Sequence, residues 1–364
     1  MSLLVQGPIH LPQLESLILT NEGRRPRPAS DQGLWIHHIL KNGHKLRKLI
    51  VDHSILGSNA AHLLAPWTNA LTHFSFAQVM QPSEWLDFLN TATNLRSGYF
   101  HVSGSHPLPD VTPTHTRLEE LTLVFRQINP ESFKLLKAFR FPRVWHLTIK
   151  FPEDLGHRQR RGPAWPGRYH LDANFANLHV LTFDKYWNSQ IPFTEFCQHN
   201  SWLRELRIAM PVSQCGVLFT MLSLLPDDDA SQTHGHLFPR LTNLTILAST
   251  WGPGTGVVQL EHLAAMDTML ESRINPPSKD GQRSTVCKLQ NFRLICVLGV
   301  QEDIRNELRY ELEKIQDKFQ TLELSISFDF EYPSHNVLCP LPLGHSEESM
   351  LDFLGIGYFE DRLE

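Results

Sequence analysis

Cysteine is scarce in this chain and spaced for none of its structural roles. The five (Cys197, Cys215, Cys287, Cys296, Cys339) are odd in number and never form C-x-x-C, which argues against a disulfide framework and a zinc site. Such usage fits a reducing compartment, so a cytoplasmic or nuclear setting is expected. Long apolar runs are missing too: nothing approaches the roughly 18 apolar residues of a membrane span. Met1-Ser2-Leu3-Leu4-Val5-Gln6-Gly7-Pro8 has no basic opening and too short an apolar run for a secretory leader. A soluble protein is expected. Neither sign of charge dominates. With 33 Lys and Arg against 38 Asp and Glu, the formal charge of −5 gives no overall nucleic-acid or membrane footprint.

Signatures of chemistry are equally thin. There is no G-K-[ST] and no G-x-S-x-G. Trp251-Gly252-Pro253-Gly254-Thr255-Gly256 mimics a dinucleotide loop, but the spacing is G-x-G-x-G and Pro253 removes a backbone donor the phosphate needs. The 20 histidines form no ligand set: His37 and His38 point apart in any regular element, and His101 with His106 runs into Pro107. Asp227-Asp228-Asp229 reads as a solvated loop tip. No catalytic, metal or cofactor residue is assigned, and the chain is read as a non-enzyme.

What the chain has is a repeat. Arg117-Leu118-Glu119-Glu120-Leu121-Thr122-Leu123 contains L-x-x-L-x-L, in which Leu121 and Leu123 share one face of a strand and Glu120 and Thr122 the other. The same pattern recurs with its middle apolar position at Leu17, Leu49, Phe74, Gly98, Leu121, Leu147, Leu181, Leu206, Leu244, Phe292 and Leu322. Gly98 is the one departure. From Leu49 to Leu147 the steps are 25, 24, 23 and 26, within the range of leucine-rich repeats. Later steps of 34, 25, 38, 48 and 30 imply insertions.

Between the expected strands lie helix signals. Pro82-Ser83-Glu84-Trp85 opens one helix, and Asn129-Pro130-Glu131-Ser132-Phe133 opens another with a capping Asn and Pro at the first position. Gly33 to Leu40 suits a short helix. Gln301 to Phe319 is the most regular, with Ile304, Leu308, Leu312, Ile315 and Phe319 in one stripe. Parallel strands need such crossovers, and those are right-handed. The fold class expected is therefore α/β: a right-handed leucine-rich-repeat solenoid, curved, with parallel strands on the concave face and short helices or turns on the convex face. Residues 1–330 are assigned to about eleven irregular repeats and 331–364 to a C-terminal tail or cap. Loop compositions mark insertions at Glu153 to His170, Pro226 to His236 and Asn275 to Thr285.

Phe141-Pro142-Arg143-Val144-Trp145-His146-Leu147-Thr148-Ile149, Phe175-Ala176-Asn177-Leu178-His179-Val180-Leu181-Thr182-Phe183 and Phe238-Pro239-Arg240-Leu241-Thr242-Asn243-Leu244-Thr245-Ile246 resemble the degenerate repeats of fungal F-box/leucine-rich-repeat proteins. The resemblance spans Leu11 to about Ile326. It implies a substrate-recognition unit of a cullin-type ubiquitin ligase. Contact with the ligase adaptor is implied only where an F-box is supplied elsewhere, because no residues ahead of the repeats match that segment.

The outward face of the strands is the expected binding surface for a protein ligand, since solenoids use such extended surfaces. Its central column is Ile18, Ile50, Ser75, Tyr99, Thr122, Thr148, Thr182, Arg207, Thr245, Arg293 and Glu323. The candidate contacts are Lys48, Asp52, His73, Tyr99, His101, Glu120, His146, Lys150, Asp184, Glu205 and Arg207. Two rivals stand beside this reading. One is nucleic-acid or anion binding through the basic insertion 156–168, which holds Arg158, Arg160, Arg161 and Arg168. The other is an enzyme whose site lies in the insertion loops, using His157, His170 or Asp227 to Asp229. At the N-terminal edge, Met1 to Pro12 offer little material for a cap. Leu14, Leu17 and Leu19 are therefore expected to be more exposed than Leu121 and Leu147, with a preceding helical domain or partner as the cover.

Overall fold

The computed structural model describes residues 13–19, 45–51, 67–103, 114–125, 135–136, 140–150, 171, 174–183, 196–198, 200–224, 237–249, 260–276, 286–297, 302–320, 322 and 324–331. The chain divides into two compact units: Met1–Pro152 with Leu171–Leu178, and Glu153–His170 with His179–Glu364. Both are built as α/β solenoid, with strands parallel and in sequence order.

The first unit carries β1 (Ser16–Leu19), β2 (Lys48–Val51), β3 (His73–Met80), β4 (Ser97–Val102), β5 (Glu120–Phe125) and β6 (His146–Lys150). Register follows the leucine pattern residue for residue, pairing Leu17 with Leu49, Leu49 with Phe74, Phe74 with Gly98, Gly98 with Leu121, and Leu121 with Leu147. The reason lies on the inward side. Leu49, Phe74, Leu121 and Leu147 are at most 1% exposed, and a one-residue slip would turn all of them outward. Gly98 breaks the pattern without leaving a void. A Cβ there would come within 2.5 Å of the Phe100 ring, so that ring occupies the missing side chain's space. Phe100 in turn packs with Phe74, Phe88 and Trp85 at centroid separations of 5.6, 5.7 and 6.3 Å.

Helix α1 (Pro82–Thr91) supplies Trp85, Phe88 and Leu89 to that cluster. Pro at its first turn and a capping box fix its start: the Gln81 N–H donates to Glu84 Oε2 at 2.8 Å. A ladder of shared carbonyls leads into the strands. Glu15 O accepts from the N–H groups of Arg47 and Lys48, Arg47 O from Thr72 and His73, Thr72 O from Arg96 and Ser97, Arg96 O from Glu119 and Glu120, and Glu119 O from Trp145 and His146. At the first strand, Leu14 and Leu17 are half-buried while Leu121 and Leu147 are 1% and 0% exposed. The Leu19 side chain and the expected cap Met1 to Pro12 lie outside the described residues, as do the expected helix at Gly33 to Leu40 and most of the one after Asn129.

The second unit carries β7 (Val180–Phe183), β8 (Glu205–Pro211), α2 (Val212–Leu222), β9 (Asn243–Ser249), α3 (Leu260–Ile274), β10 (Asn291–Val297), α4 (Glu302–Phe319) and β11 (Ser325–Glu331). Leu181, Leu206, Leu244 and Phe292 are in register, as the pattern predicts. The last repeat corrects it: Phe292 pairs with Ile326, not Leu322. Helix α4 runs to Phe319, so Leu322 falls in the turn after it and is 39% exposed. Ser327, opposite Arg293, takes the column position expected of Glu323.

The turn before each strand repeats as well. Six residues before the middle apolar position stand Thr68, Ala92, His115, Phe141, Phe175, Asn200, Phe238 and Val286, all buried. The carbonyls of Thr68, Ala92, Phe141, Phe175, Asn200 and Phe238 accept from the N–H three residues on, closing the turn. At His115 the ring does this instead, with Nδ1 accepting from the Leu118 N–H at 3.2 Å.

A candidate protein-binding surface

Parallel register stacks the outward side chains of each unit into rows one strand spacing, about 4.8 Å, apart. In the first unit one row runs Lys48, His73, Ser97, Glu120, His146, and the next runs Ile50, Ser75, Tyr99, Thr122, Thr148. A third runs His101, Val124, Lys150. Local bonds tie these rows together. Tyr99 Oη is 3.1 Å from His101 Nε2, Lys150 Nζ lies 5.3 Å from the Tyr99 ring centroid, and Ser97 Oγ donates to Glu120 Oε2 at 3.3 Å. Thr148 Oγ1 is 3.2 Å from His146 Nε2. The Trp145 ring lies beside that of His146, with centroids 5.5 Å apart.

Exposure along these rows is uneven. Lys48, His73, Tyr99, His101 and Glu120 are half-buried, whereas His146, Thr148 and Lys150 are 8%, 1% and 8% exposed. Strand β6 is thus buried on both faces. Outward position alone did not reveal this. Val180 and Thr182 of β7 are buried in the same way.

In the second unit the rows are Val180, Glu205, Asn243, Asn291, Ser325 and Thr182, Arg207, Thr245, Arg293, Ser327. Glu205, Arg207, Asn243, Thr245, Arg293 and Ser327 are half-buried, and Asn291 and Ser325 exposed. Each arginine is held by a carboxylate through Nε: Arg207 by Glu205 at 2.6 Å and Arg293 by Asp329 at 2.8 Å. Asn291 Nδ2 donates to Asn243 Oδ1 at 2.7 Å, so the amides form a ladder. Arg293 and the Asn243–Asn291 pair were not among the contacts named from the sequence, although Arg293 sits in the central column. In the next row, Ala209, Leu247, Ile295 and Asp329, the middle two are closed off at 5% and 0% exposed, while Ala209 and Asp329 are half-buried.

Of the residues assigned from the sequence, Asp52 and Asp184 lie outside the described residues. So do the basic insertion 156–168, His157, His170 and Asp227 to Asp229. Among the described residues no group of three or more His, Cys, Asp or Glu could hold a metal ion, and no helix is long and apolar enough to cross a membrane. A cavity of about 20 Å³ in the second unit is lined by Val212, Cys215, Phe219, His262, Met266 and Cys296, among others. Burial pushes the Cys215 thiol well up and that of Cys296 to about 12, so both stay protonated and unreactive at neutral pH. The His262 ring fills the space over Gly216, where a Cβ would come within 2.6 Å of its Cδ2.

No protein-family model matches the chain, and no curated protein matches it. Among solved structures it is similar to a Bacteroides fragilis protein determined by a structural-genomics consortium, at 14% identity and a TM-score of 0.37. The match covers 87% of this chain and 66% of the other, so the chain spans just under two thirds of that protein's length.

Proposed function

We propose that the protein is a non-enzymatic scaffold that binds another protein on the outward face of its parallel strands, acting in the cytoplasm or nucleus. The observation that carries this reading is the half-exposed polar face of β8 to β11. There, two guanidinium groups are fixed in place by Glu205 and Asp329, with Thr245 between them and an amide ladder alongside. Prearranged polar groups at fixed spacing on a rigid sheet cost little ordering entropy on binding. Lys48, His73, Tyr99, His101 and Glu120 extend the reading to the first unit, with His146 and Lys150 as buried supports rather than direct contacts.

The finer reading, a substrate-recognition unit of a cullin-type ubiquitin ligase, rests on the resemblance of the repeats alone. Both readings meet one experiment. The full chain and its Arg207→Glu/Arg293→Glu variant are cross-linked in native cells, and the captured proteins identified by mass spectrometry. Partners held by the wild type and lost by the variant are expected; identical partner sets would refute the outward-face reading. Ligase adaptor and cullin subunits absent from both sets would remove the ubiquitin reading and leave the scaffold reading intact.

A further inference from the structure

The residues leading into the strands form a second surface in the first unit. Positions four and two before the middle apolar residue lie at the N-terminal ends of the strands, stacked repeat on repeat by the shared carbonyls. They carry Lys45 and Arg47, then Arg96, Arg117 and Arg143, all exposed. Two acids share this edge, Glu15 and Glu119. None of the five cations forms an ion pair among the described residues. Lys45 donates to Gln13 Oε1, Arg47 to the Ala70 carbonyl and Arg117 to Asn94 Oδ1, all neutral partners. A chain with a formal charge of −5 therefore places five cations against two acids along one edge, counted among the described residues.

We propose that this edge docks an acidic polypeptide segment of a partner protein. Adjacent strands are about 4.8 Å apart, so Lys45 and Arg47 on the way into β2 lie about 19 Å from Arg143 on the way into β6. About six residues of extended chain, at roughly 3.3 Å each, span that distance. Arginine forks grip carboxylates with two parallel hydrogen bonds, and four of the five cations are arginines. Nucleic acid fits less well. Sequence-tolerant strand binding needs several aromatic platforms, and among the described residues this edge exposes one large aromatic, Trp145, which already lies against His146. The edge is distinct from the outward face, so failure of either proposal leaves the other standing.

The test is fluorescence anisotropy of a labelled hexaglutamate peptide titrated with the full chain, beside hexaglutamine and a uridine hexanucleotide. Hexaglutamate should bind at 50 mM salt and weaken about tenfold by 200 mM, with hexaglutamine unbound. Arg96→Glu/Arg143→Glu alters two side chains that have no hydrogen bond among the described residues and should weaken binding about tenfold at unchanged Tm. Arg309→Glu on α4 should leave binding as it was. If the double reversal fails to fold, Arg96→Gln/Arg143→Gln serves, with a loss of about threefold expected. Hexaglutamate binding that is absent or indifferent to these edge substitutions overturns the proposal. Tighter binding of the uridine oligomer, lost in the same variants, overturns it in favour of nucleic acid.

Discussion

Strands β6 and β8 have the same inward chemistry and different surroundings. His146-Leu147-Thr148-Ile149-Lys150 is buried at every residue, whereas β8 alternates half-buried and buried from Glu205 to Pro211. Their inward residues match: Leu147, Ile149, Leu206 and Ile208 are all at most 1% exposed. The outward residues differ, with Thr148 at 1% and Arg207 half-buried. Alternation thus sets which side of a strand meets the leucine core, and leaves open whether the other side meets solvent. Parallel strands covered on both faces usually read as continuous apolar runs. Strand β6 instead keeps polar groups on its second buried face, where Thr148 bonds to His146 and Lys150 lies over the Tyr99 ring.

The sharpest test of that contrast places a charge on each outward face. Thr148→Asp should cost about 2 kcal/mol or more, because the carboxylate is taken out of water even with His146 and Lys150 on the same face. Thr245→Asp, on the half-exposed face, should cost within about 1 kcal/mol. Chemical denaturation of the two variants decides the matter, and equal losses would show that the faces do not differ. The inward positions should behave alike: Leu147→Ala and Leu206→Ala should each cost about 2–5 kcal/mol, both side chains being 0% exposed. A loss at only one of them would break the equivalence of the two cores.

The sequence made the inward face legible because burial there is periodic and a register slip is costly. Ten of the eleven aligned positions pair as read. The eleventh failed at Phe319, which served both as the last residue of a helical stripe and as the first leucine-type residue of a repeat. The helix won because its stripe continues from Leu308 through Leu312 to Phe319, all buried. Helix α2 escaped notice because Val212–Leu222 is apolar nearly all round and shows little helical contrast. Burial of the outward side of β6 is set by what packs over it, which the alternation within the strand does not encode. The basic edge was present in Lys45, Arg47, Arg96, Arg117 and Arg143 all along. Counting by repeat position rather than by charge run would have found it.

A second pair of sites sharpens the comparison between the units. Phe141-Pro142-Arg143 and Phe238-Pro239-Arg240 are the same turn written twice. In the first unit the Phe141 N–H donates to the Asn174 carbonyl at 2.6 Å. In the second, Phe238 adopts a left-handed φ of 48°, strained for an aromatic residue, and a buried arginine holds it. Arg273 Nε donates to Leu222 O at 2.8 Å, and its two amino groups to Phe238 O at 3.0 Å and Leu237 O at 2.6 Å. Burial lowers the Arg273 pKa to about 10, which leaves it charged at neutral pH. Arg273→Met should cost about 2–3 kcal/mol by removing the arginine's bonds to the Leu222 and Leu237 carbonyls, while Phe238 O keeps the Leu241 N–H. Hydrogen exchange should locate the loss in α2, α3 and the Phe238 turn while the Phe141 turn stays protected. A uniform loss would deny Arg273 its local role.

The smallest effect concerns His115 and Asn200, which hold the same place in the turns before β5 and β8. Both are buried and only one titrates. His115 Nδ1 accepts from the Leu118 N–H, so Nε2 carries the proton and donates to the Ala92 carbonyl at 2.9 Å. Protonating Nδ1 would set two donors against each other, and burial already holds the His115 pKa below its usual 6.5, outweighing the raising effect of the bond to Ala92. The unfolded ring therefore takes up a proton at a higher pH than the folded one. The stability this site contributes is complete above about pH 6.5 and is lost as pH falls from there towards the folded-state value. The slope can reach about 1.4 kcal/mol per pH unit. Asn200 performs the turn closure with its backbone carbonyl, which accepts from the Leu203 N–H at 3.2 Å, and gains no proton. His115→Asn, copying Asn200, should therefore flatten part of the acid limb below about pH 6.5 when denaturation midpoints are compared with the wild type. Asn200→Ala should leave the shape of that limb unchanged. Parallel wild-type and His115→Asn curves across that range would show that the ring stays neutral or leaves the turn without cost.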